Sequence, residues 1–557
     1  MHARRSFPVF FRALAALGAL GALGASAAAT RLAAQGASAS SAVTGTFHIV
    51  WADARPGTEA PDDHRYALVD DRGRWYDVKI DAATLATLGG ARALDRRRVT
   101  VDASRVLAPA EADAPMPVLA ARAVRLASPR SVSALEAGVS PYTVSGSQAY
   151  ATILCRFSDT PSNGFVSAAP ARAQALMQST SYPGVDDYYR EVSNGQVDLS
   201  GSRVLARWYT LPHPRSYYVV NNTADLGKLA QDCTGAADAD VDFTRYHGIT
   251  MQFSDKLDCC SWGGSWTLDR DGQRRGYAVM WVASWGLNAA TYDHEMGHSF
   301  GFPHSHGPYG KAYDSKWDIM SYAYNYNDPT WGSIGPHTIA FHKALVGWIP
   351  ASRRFAAPAG EASTILIERD AQPEANAAYL VAEIPIPGTS QHYTVEARRF
   401  VGSYDSHLPG EAIVIHRCGT DATVVDPDGN GDPNDAGAMW TPGETFTDAA
   451  AKISVTVDAL VGNAYRVTIR NGVSLGAGVP TLSAAAAELL GTPSLTASER
   501  QMLDDAGNDD GTYNLGDFLA FAERTGQHLD GALVGRLLAG PAGTARGATA
   551  GKQEAKP

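Results

Sequence analysis

Cysteine is scarce in this sequence, which contains five cysteines in 557 residues and no C-x-x-C pair. A zinc site built from closely spaced thiolates is therefore not expected. The odd number leaves at least one thiol without a partner in the chain. Cys155 lies in an apolar strand pattern, and we expect it to be a buried small hydrophobic residue.

Basic residues are outnumbered, with 47 Lys and Arg against 58 Asp and Glu, which gives a net charge of −11. Nucleic-acid-binding proteins need a basic surface, so we expect no nucleic-acid partner. No repeat array is visible. Beyond the N-terminal segment, no run of residues is long and apolar enough to span a bilayer, and we expect no membrane span once that segment is removed.

The N-terminal segment has the features of an export signal. Arg4 and Arg5 precede an apolar run of Ala, Leu and Gly, and alanines at 25, 27 and 29 provide A-x-A cleavage sites. The pattern predicts a signal peptide over residues 1–29 and a secreted or periplasmic protein. The alternative is a transmembrane anchor, which the weakly apolar second half of the run disfavours.

Changes in composition and periodicity predict an α+β protein of several parts. The first is an N-terminal β domain, which is either a prosegment or a permanent accessory domain. Residues 108–140, with Arg122, Arg125 and Arg130, have the composition of a connector that proteases could cut. The predicted parts are the N-terminal β domain at 45–128, a mixed strand and helix region at 145–350, a β-sandwich at 360–472, a small helical segment at 480–535 and a disordered tail at 536–557.

The string HEMGHSFGFPH, residues 294–304, predicts a metal site. His294 and His298 are four residues apart, so a helix presents both imidazoles on one face. Asn288 is a candidate N-cap, and Gly301 is expected to end the helix and turn the chain so that His304 reaches the same ion. Three protein ligands leave a fourth position for water, as catalytic zinc requires, and Glu295 is placed to accept a proton from that water.

A second string, SKWDIMSY at residues 315–322, supports this interpretation. Met320 follows His304 closely enough to form an apolar floor beneath the imidazoles. The phenol of Tyr322, two residues later, is a candidate to contact the zinc or to stabilise an oxyanion.

These motifs resemble those of metzincin zinc metallopeptidases. The string IMSY is similar to that of the astacin and serralysin groups, in which the tyrosine is a fifth metal ligand, a role that the resemblance gives to Tyr322. Strings between residues 145 and 470, such as WDIMSYA and LPGEAIVIHR, resemble exported bacterial peptidases of the immune-inhibitor-A type and the gametolysin group. His304 stands where the immune-inhibitor-A type usually has aspartate, which favours the gametolysin group.

The resemblance implies a metzincin catalytic domain, with a mixed sheet and a zinc-site helix, that hydrolyses peptide bonds in proteins or peptides. Zinc would activate a water molecule, with Glu295 as general base. Two alternatives stay open, namely an inert binding or adhesion protein that keeps the fold, and a zinc hydrolase of a non-peptide bond. No cysteine-containing latency motif like that of matrix metallopeptidases is visible upstream, and an aspartate of the connector, such as Asp113, is a candidate for that role.

Two acidic loops are candidate calcium sites. In AGNDDGTYNLGD the oxygen-bearing side chains occupy positions of an EF-hand or dockerin-type loop, although Ala506 replaces the usual first aspartate. A dockerin-like segment would tether the protein to a partner. In DPDGNGDPND, oxygen donors alternate with turn residues. The candidate ligands are Asn508, Asp510, Asn514 and Asp517 in the first loop, and Asp426, Asp428, Asn430 and Asp432 in the second.

Overall fold

The computed structural model describes most of the chain between residues 41 and 524. The predicted signal peptide, the tail from residue 536 and the side chains of Asp113, Arg130 and Asn508 lie outside the described residues. The described residues are 41–55, 58, 63–109, 116–127, 143–472, 480, 482–492, 495–507 and 510–524. They form a mixed α+β structure with many strands and few helices.

The N-terminal strands close into a barrel. They pair in the order β2-β3-β5-β4-β1, and β1 also pairs with β2, which closes the ring. Apolar side chains such as Phe47, Leu68 and Leu119 fill the interior. The elements are β1 (Ser41–Ala54), β2 (Asp63–Asp70), β3 (Trp75–Lys79), α1 (Ala82–Thr87), β4 (Arg98–Leu107) and β5 (Val118–Leu126).

Two arginines of the predicted connector lie in this barrel. Arg122 and Arg125 belong to β5, which pairs with both β3 and β4. Their assignment to a connector is therefore wrong, because alternating residues of this run face the barrel interior. The segment that leaves the barrel begins after Leu126.

A second region follows, from Gly146 to Leu345. Its elements are β6 (Gly146–Ser147), β7 (Tyr150–Arg156), α2 (Gly164–Met177), α3 (Val185–Val192), β8 (Val197–Asp198), β9 (Arg203–Thr210), α4 (Arg215–Tyr218), β10 (Val219–Val220), β11 (Thr223–Ala224), α5 (Leu226–Ala237), β12 (Gly248–Phe253), β13 (Cys260–Arg270), β14 (Gln273–Val282), α6 (Ala289–Phe300), β15 (Ser305–His306), β16 (Tyr326–Asp328), β17 (Gly332–Ile334) and α7 (Ala340–Leu345).

The sheet of this region continues into the barrel. Strands β14, β12, β7 and β9 are parallel, and β13 runs antiparallel beside β14. The far end of β1, residues 50–54, pairs antiparallel with the other side of β13. Strand β12 is buried along its whole length, as is typical of a central parallel strand, and α6 packs across β13 and β14.

The C-terminal strands form two sheets around one core. One has the order β15-β23-β22-β21-β20-β18, and the other has the order β19-β26-β25-β24. Side chains of both sheets, including Val395, Ile413, Val455 and Val467, belong to one hydrophobic cluster. The strands are β18 (Arg354–Ala356), β19 (Glu361–Glu368), β20 (Val381–Pro385), β21 (His392–Arg398), β22 (Ala412–Cys418), β23 (Ala422–Val424), β24 (Thr445–Asp448), β25 (Ile453–Val461) and β26 (Ala464–Asn471).

The chain continues into helices α8 (Leu482–Leu489), α9 (Ala497–Ala506) and α10 (Leu515–Arg524). Leu503, Phe518 and Phe521 contribute to a small core of their own. Among the described residues, no helix is long and apolar enough to cross a membrane. Short 3-10 helices span Ala91–Ala93, Asp238–Asp240, Phe243–Arg245, Ser284–Gly286, Ala351–Arg353, Asp405–His407 and Ala436–Ala438.

Two disulfides lie in the second region, and Cys418 is a buried free thiol. One disulfide joins neighbouring residues, Cys259 and Cys260. The other joins Cys155 in β7 to Cys233 in α5. Cys155 is buried, but its interpretation as a simple hydrophobic residue is wrong, because α5 packs on β7 and brings Cys233 against it.

Candidate metal centre

Helix α6 carries the first two predicted metal ligands. It begins after Asn288, whose side-chain oxygen accepts a hydrogen bond from the backbone N–H of Thr291 (3.0 Å). It ends at Gly301, which adopts the left-handed conformation with φ of 101°. Both helix ends confirm the sequence prediction. Because glycine takes this conformation at little steric cost, the chain can turn sharply towards His304.

The imidazole rings of His294, His298 and His304 converge at their Nε2 atoms. The distance between these atoms is 3.1 Å for His294 and His298, and 2.9 Å for His298 and His304. All three side chains are buried. The structure therefore brings together the three residues that the sequence singles out as metal ligands.

Backbone carbonyls orient two of these rings. Nδ1 of His294 lies 2.6 Å from the carbonyl oxygen of Ile319, and Nδ1 of His298 lies 2.7 Å from that of Phe302. A carbonyl oxygen only accepts, so each Nδ1 donates its hydrogen and a neutral ring presents a lone pair at Nε2. Burial lowers the pKa of His298 to about 3, which keeps that ring neutral. Facing lone pairs at this distance repel one another unless a cation lies between them, so the donor set fits a metal ion.

A carboxylate from the barrel completes the cluster. Oδ1 of Asp53, in β1, lies 2.8 Å from Nε2 of His294 and 2.9 Å from Nε2 of His304, and Oδ2 lies 3.1 Å from Nε2 of His298. The resulting buried group of one aspartate and three histidines can hold a metal ion.

Trp51 strengthens the contact between β1 and this cluster. It lies two residues before Asp53 and therefore on the same face of the strand. Its indole stacks on the ring of His298, with centroids 5.0 Å apart and planes inclined by 5°. Asp53 is not among the residues that the sequence singles out. The available signal was the alternation in FHIVWAD, where an acidic residue ends the face that carries Ile49 and Trp51.

Glu295 is buried beside the cluster. Neither carboxylate oxygen has a hydrogen-bond partner within the described part of the chain. Burial raises the pKa of this carboxyl well above its ordinary value, and the charge of Asp53 acts in the same direction. Together with His294, its side chain lines a cavity of about 820 Å³. An unpartnered carboxyl at the wall of a cavity, next to a metal ligand, is suited to exchanging a proton with a molecule held there.

Met320 lies beneath the helix that carries the ligands. A methyl group placed at Gly297 would come within 2.6 Å of the Met320 sulfur, so the side chain packs directly on α6 between the two histidines. Met320 is fully buried, in the position of an apolar floor.

Three tyrosines line the cavity, although the sequence indicated only Tyr322. Nζ of Lys316 lies 5.7 Å from the centre of the Tyr322 ring. Tyr313 has its ring centre 5.9 Å from that of His304, and its hydroxyl lies 3.3 Å from both the Ala52 carbonyl oxygen and the Ala54 nitrogen of β1. Tyr324 has its hydroxyl 2.8 Å from Oγ1 of Thr291. Nothing in their local sequence distinguishes the last two from core residues.

The C-terminal sheet holds the segment that follows the third histidine. Strand β15 directly follows His304 and pairs parallel with β23, and the N–H of Ala422 donates to the carbonyl oxygen of His304 (3.3 Å). Ser305 also donates through its hydroxyl to the buried carboxylate of Asp318 (2.7 Å). The position of His304 therefore depends on both the second region and the C-terminal sheets.

Gly263 lets β13 lie close to α6. A methyl group at this position would come within 2.4 Å of the Glu295 carbonyl oxygen and 2.8 Å of Cβ of His298. We expect Gly263→Ala to lower the free energy of unfolding by about 1–3 kcal/mol, because strand and helix must separate. Thermal and denaturant unfolding would measure this. Gly276→Ala in β14 is the matched control, since a methyl group there meets nothing within 4 Å, and equal losses in both variants would contradict the expectation.

The two predicted calcium loops differ in what the structure brings together. Asp426 and Asp428 form a group with Asp435, which is not one of the candidate ligands that the sequence indicates. Asp432, which the sequence indicates, lies outside this group and accepts hydrogen bonds from the backbone and side-chain nitrogens of Asn434 (3.1 and 3.0 Å). Asn430 lies among the carboxylates and donates through Nδ2 to Asp428 (2.9 Å).

In the later loop, carboxylates accept hydrogen bonds from backbone amides. Asp517 is buried and accepts a bond from the N–H of Asn514 (2.7 Å). Asp510 is exposed, and Nδ2 of Asn514 lies 3.4 Å from its Oδ2. Asp504, also buried, accepts bonds from the N–H groups of Asp510 and Gly511 (3.1 and 2.9 Å). Within the described residues of this loop, no three carboxylates converge as they do around Asp426.

Comparison with solved structures gives distant likenesses. No family model matches the chain. No curated protein matches it either. Two crystal structures of OgpA from Akkermansia muciniphila are similar over part of the chain. The wild-type structure has 14% identity and a TM-score of 0.22, and the match covers 47% of this chain and 74% of OgpA. A catalytically inactive OgpA in complex with an O-glycopeptide substrate has 12% identity and a TM-score of 0.23, and the match covers 52% of this chain and 84% of OgpA.

Proposed function

We propose that this chain is an exported zinc-dependent endopeptidase that the N-terminal barrel holds in an inactive state. The convergence of three buried imidazoles beside Glu295, at the wall of a cavity, is the observation that carries the proposal. Three imidazole nitrogens and one oxygen suit the four-coordinate geometry that zinc prefers. The sequence resemblance to metzincins agrees with this assignment.

The chain's own residues would divide the chemistry among them. Zinc, when bound, supplies a Lewis acid that polarises a carbonyl and lowers the pKa of water. Glu295 would take the proton from the attacking water and return it to the leaving amine. Tyr322 and Tyr313 line the same cavity and are the candidates to donate a hydrogen bond to the carbonyl oxygen as charge develops on it.

Strand β1 supports the proposal that an extended peptide is the substrate. An extended peptide can bind an exposed sheet edge by adding a strand, with backbone hydrogen bonds giving affinity. Residues 50–54 of β1 already do this on β13, beside the cavity. With the barrel removed, β13 would be the edge strand of its sheet and a substrate could take the place of β1.

Asp53 supports the inactive state. Three histidines leave one coordination position free for catalysis, whereas a fourth protein ligand closes the site. Asp53 stands within 2.8–3.1 Å of all three Nε2 atoms and would occupy that position. The barrel would therefore act as a prosegment, and the segment after Leu126, which contains Arg130, would be where it is cut.

The same closed site favours one alternative, a catalytically inert binding protein with a structural metal. A casein cleavage assay distinguishes the peptidase from the inert binding protein. The purified chain is assayed first as it is, and again after limited trypsin treatment and displacement of the barrel in mild urea. We expect cleavage only after treatment, and its loss with a chelator. A zinc-loaded chain that cleaves no protein after verified removal of the barrel would favour the inert alternative. Absence of metal in protein purified without chelators would overturn both.

A further inference from the structure

The loop that follows β23 gathers three carboxylates around one space. One ligand oxygen from each of Asp426, Asp428 and Asp435 lies within 4.8 Å of the others. Gly429 and Gly431 have positive φ values of 71° and 93°, which let the loop curve around this space. A methyl group at Gly437 would lie 2.3 Å from Oδ1 of Asp426 and 2.6 Å from Oδ2 of Asp428, so both oxygens face the same point.

One of these oxygens is buried without a partner. Asp426 is 8% exposed, and its Oδ1 accepts no hydrogen bond from the described residues. Its Oδ2 accepts a bond from the hydroxyl of Tyr309 (2.6 Å). Burial raises the pKa of Asp426, and the nearby charges of Asp428 and Asp435 act in the same direction. A buried carboxylate oxygen that faces two further carboxylates calls for a cation.

Within the part of the chain that the structure describes, no lysine or arginine pairs with a carboxylate of this cluster. Lys311 lies against the same loop, but its Nζ donates to the carbonyl oxygen of Gly431 (3.1 Å). Asn430 lies between the acids, where its amide oxygen, if the side chain turned, could serve as a further ligand. Carboxylates and amide oxygens on a flexible glycine-containing loop are the ligands that calcium prefers.

We propose that Asp426, Asp428 and Asp435 bind a calcium ion and that this ion fixes one wall of the active-site cavity. The loop contacts the segment that runs from the third histidine to Met320. The N–H of Lys316 donates to Oδ1 of Asn434 (2.6 Å), and the indole N–H of Trp317 donates to the carbonyl oxygen of Pro433 (3.1 Å). Residues 310–313 of this segment line the cavity. The calcium site itself does not depend on the proposed peptidase activity.

Calcium titration of the dialysed, zinc-loaded full-length chain, followed by isothermal titration calorimetry, tests the site. A second titration uses terbium instead of calcium and follows its luminescence. Trp317 and Tyr309 are close enough to the loop to sensitise terbium. Asp428 is exposed, so Asp428→Asn should fold. We expect the calcium affinity of one site to be at least tenfold weaker in this variant than in the wild type. Asp432→Asn is the matched control, since it removes the same charge from the same loop while its carboxylate bonds to Asn434.

Trypsin cleavage after the exposed Lys311 reports on the cavity wall without any need for enzymatic activity. We expect calcium to slow this cleavage at least fivefold in the wild type and in Asp432→Asn, but not in Asp428→Asn. Absence of calcium binding at millimolar concentration, or equal binding in the two variants, would overturn the site. Binding without protection of Lys311 would overturn its effect on the wall.

Discussion

Once the barrel has been removed, the Glu295→Gln variant is expected to cleave casein about 10²–10⁴-fold more slowly than the wild type, which is the usual contribution of a general base. Glutamine keeps the shape of the side chain but cannot take up the proton. Glu295 contacts the cavity and is not one of the converging ligands, so zinc content should stay at the wild-type level. Cleavage assays and metal analysis on the same preparation would measure both quantities.

The matched control for this variant is Glu361→Gln, which makes the same change at an exposed position of β19. It should leave cleavage and zinc content unchanged. Full activity in Glu295→Gln would remove the proposed mechanism. Loss of zinc together with activity would instead mean that Glu295 acts by supporting the metal site.

Replacing Asp53 with alanine in the uncut chain is expected to open the metal to small ligands. The substitution removes the carboxylate that lies 2.8–3.1 Å from the three Nε2 atoms, while β1 stays paired with β13. We therefore expect acetohydroxamate to bind at least tenfold more tightly than to the wild type. In the cobalt-substituted protein, the visible absorption bands should shift because an oxygen ligand has been exchanged.

Asp71→Ala is the control for the Asp53 variant, because Asp71 lies in the same barrel and pairs with Arg98, away from the site. Its cobalt spectrum and hydroxamate affinity should match those of the wild type. If Asp53→Ala also matches the wild type in both measurements, Asp53 is not a ligand and the barrel does not close the site through it.

Local sequence carried enough information to predict helix α6. Its cap at Asn288, its end at Gly301 and the spacing of the histidines all depend on residues within a few positions of one another. The same holds for the apolar strings GITMQFS and GYAVMWVA, which predict strands and form β12 and the second half of β14.

Features that depend on distant pairing were missed. Asp53 reaches His304 across 251 residues of sequence, and no local pattern connects them. No local pattern predicts strand β13, because Gly263 and Gly264 lower its strand propensity. The close approach of α6 to Gly263 and of β1 to Gly264 explains why glycine stands at both positions. The presence of Asp435 in the acidic cluster likewise depends on how the loop folds, because Asp435 does not follow the alternation of positions 426, 428, 430 and 432.

Strand β1 belongs both to the barrel and to the sheet of the second region, so the time at which activity appears would depend on the barrel. Its first part completes the barrel, and its last residues pair with both β2 and β13. Cutting the chain after Leu126 breaks none of these pairs, so a clipped molecule would stay inactive until the barrel opens. The delay between cleavage and activity would then equal the lifetime of the folded barrel, and a substitution that slows barrel unfolding would lengthen that delay without touching the catalytic residues.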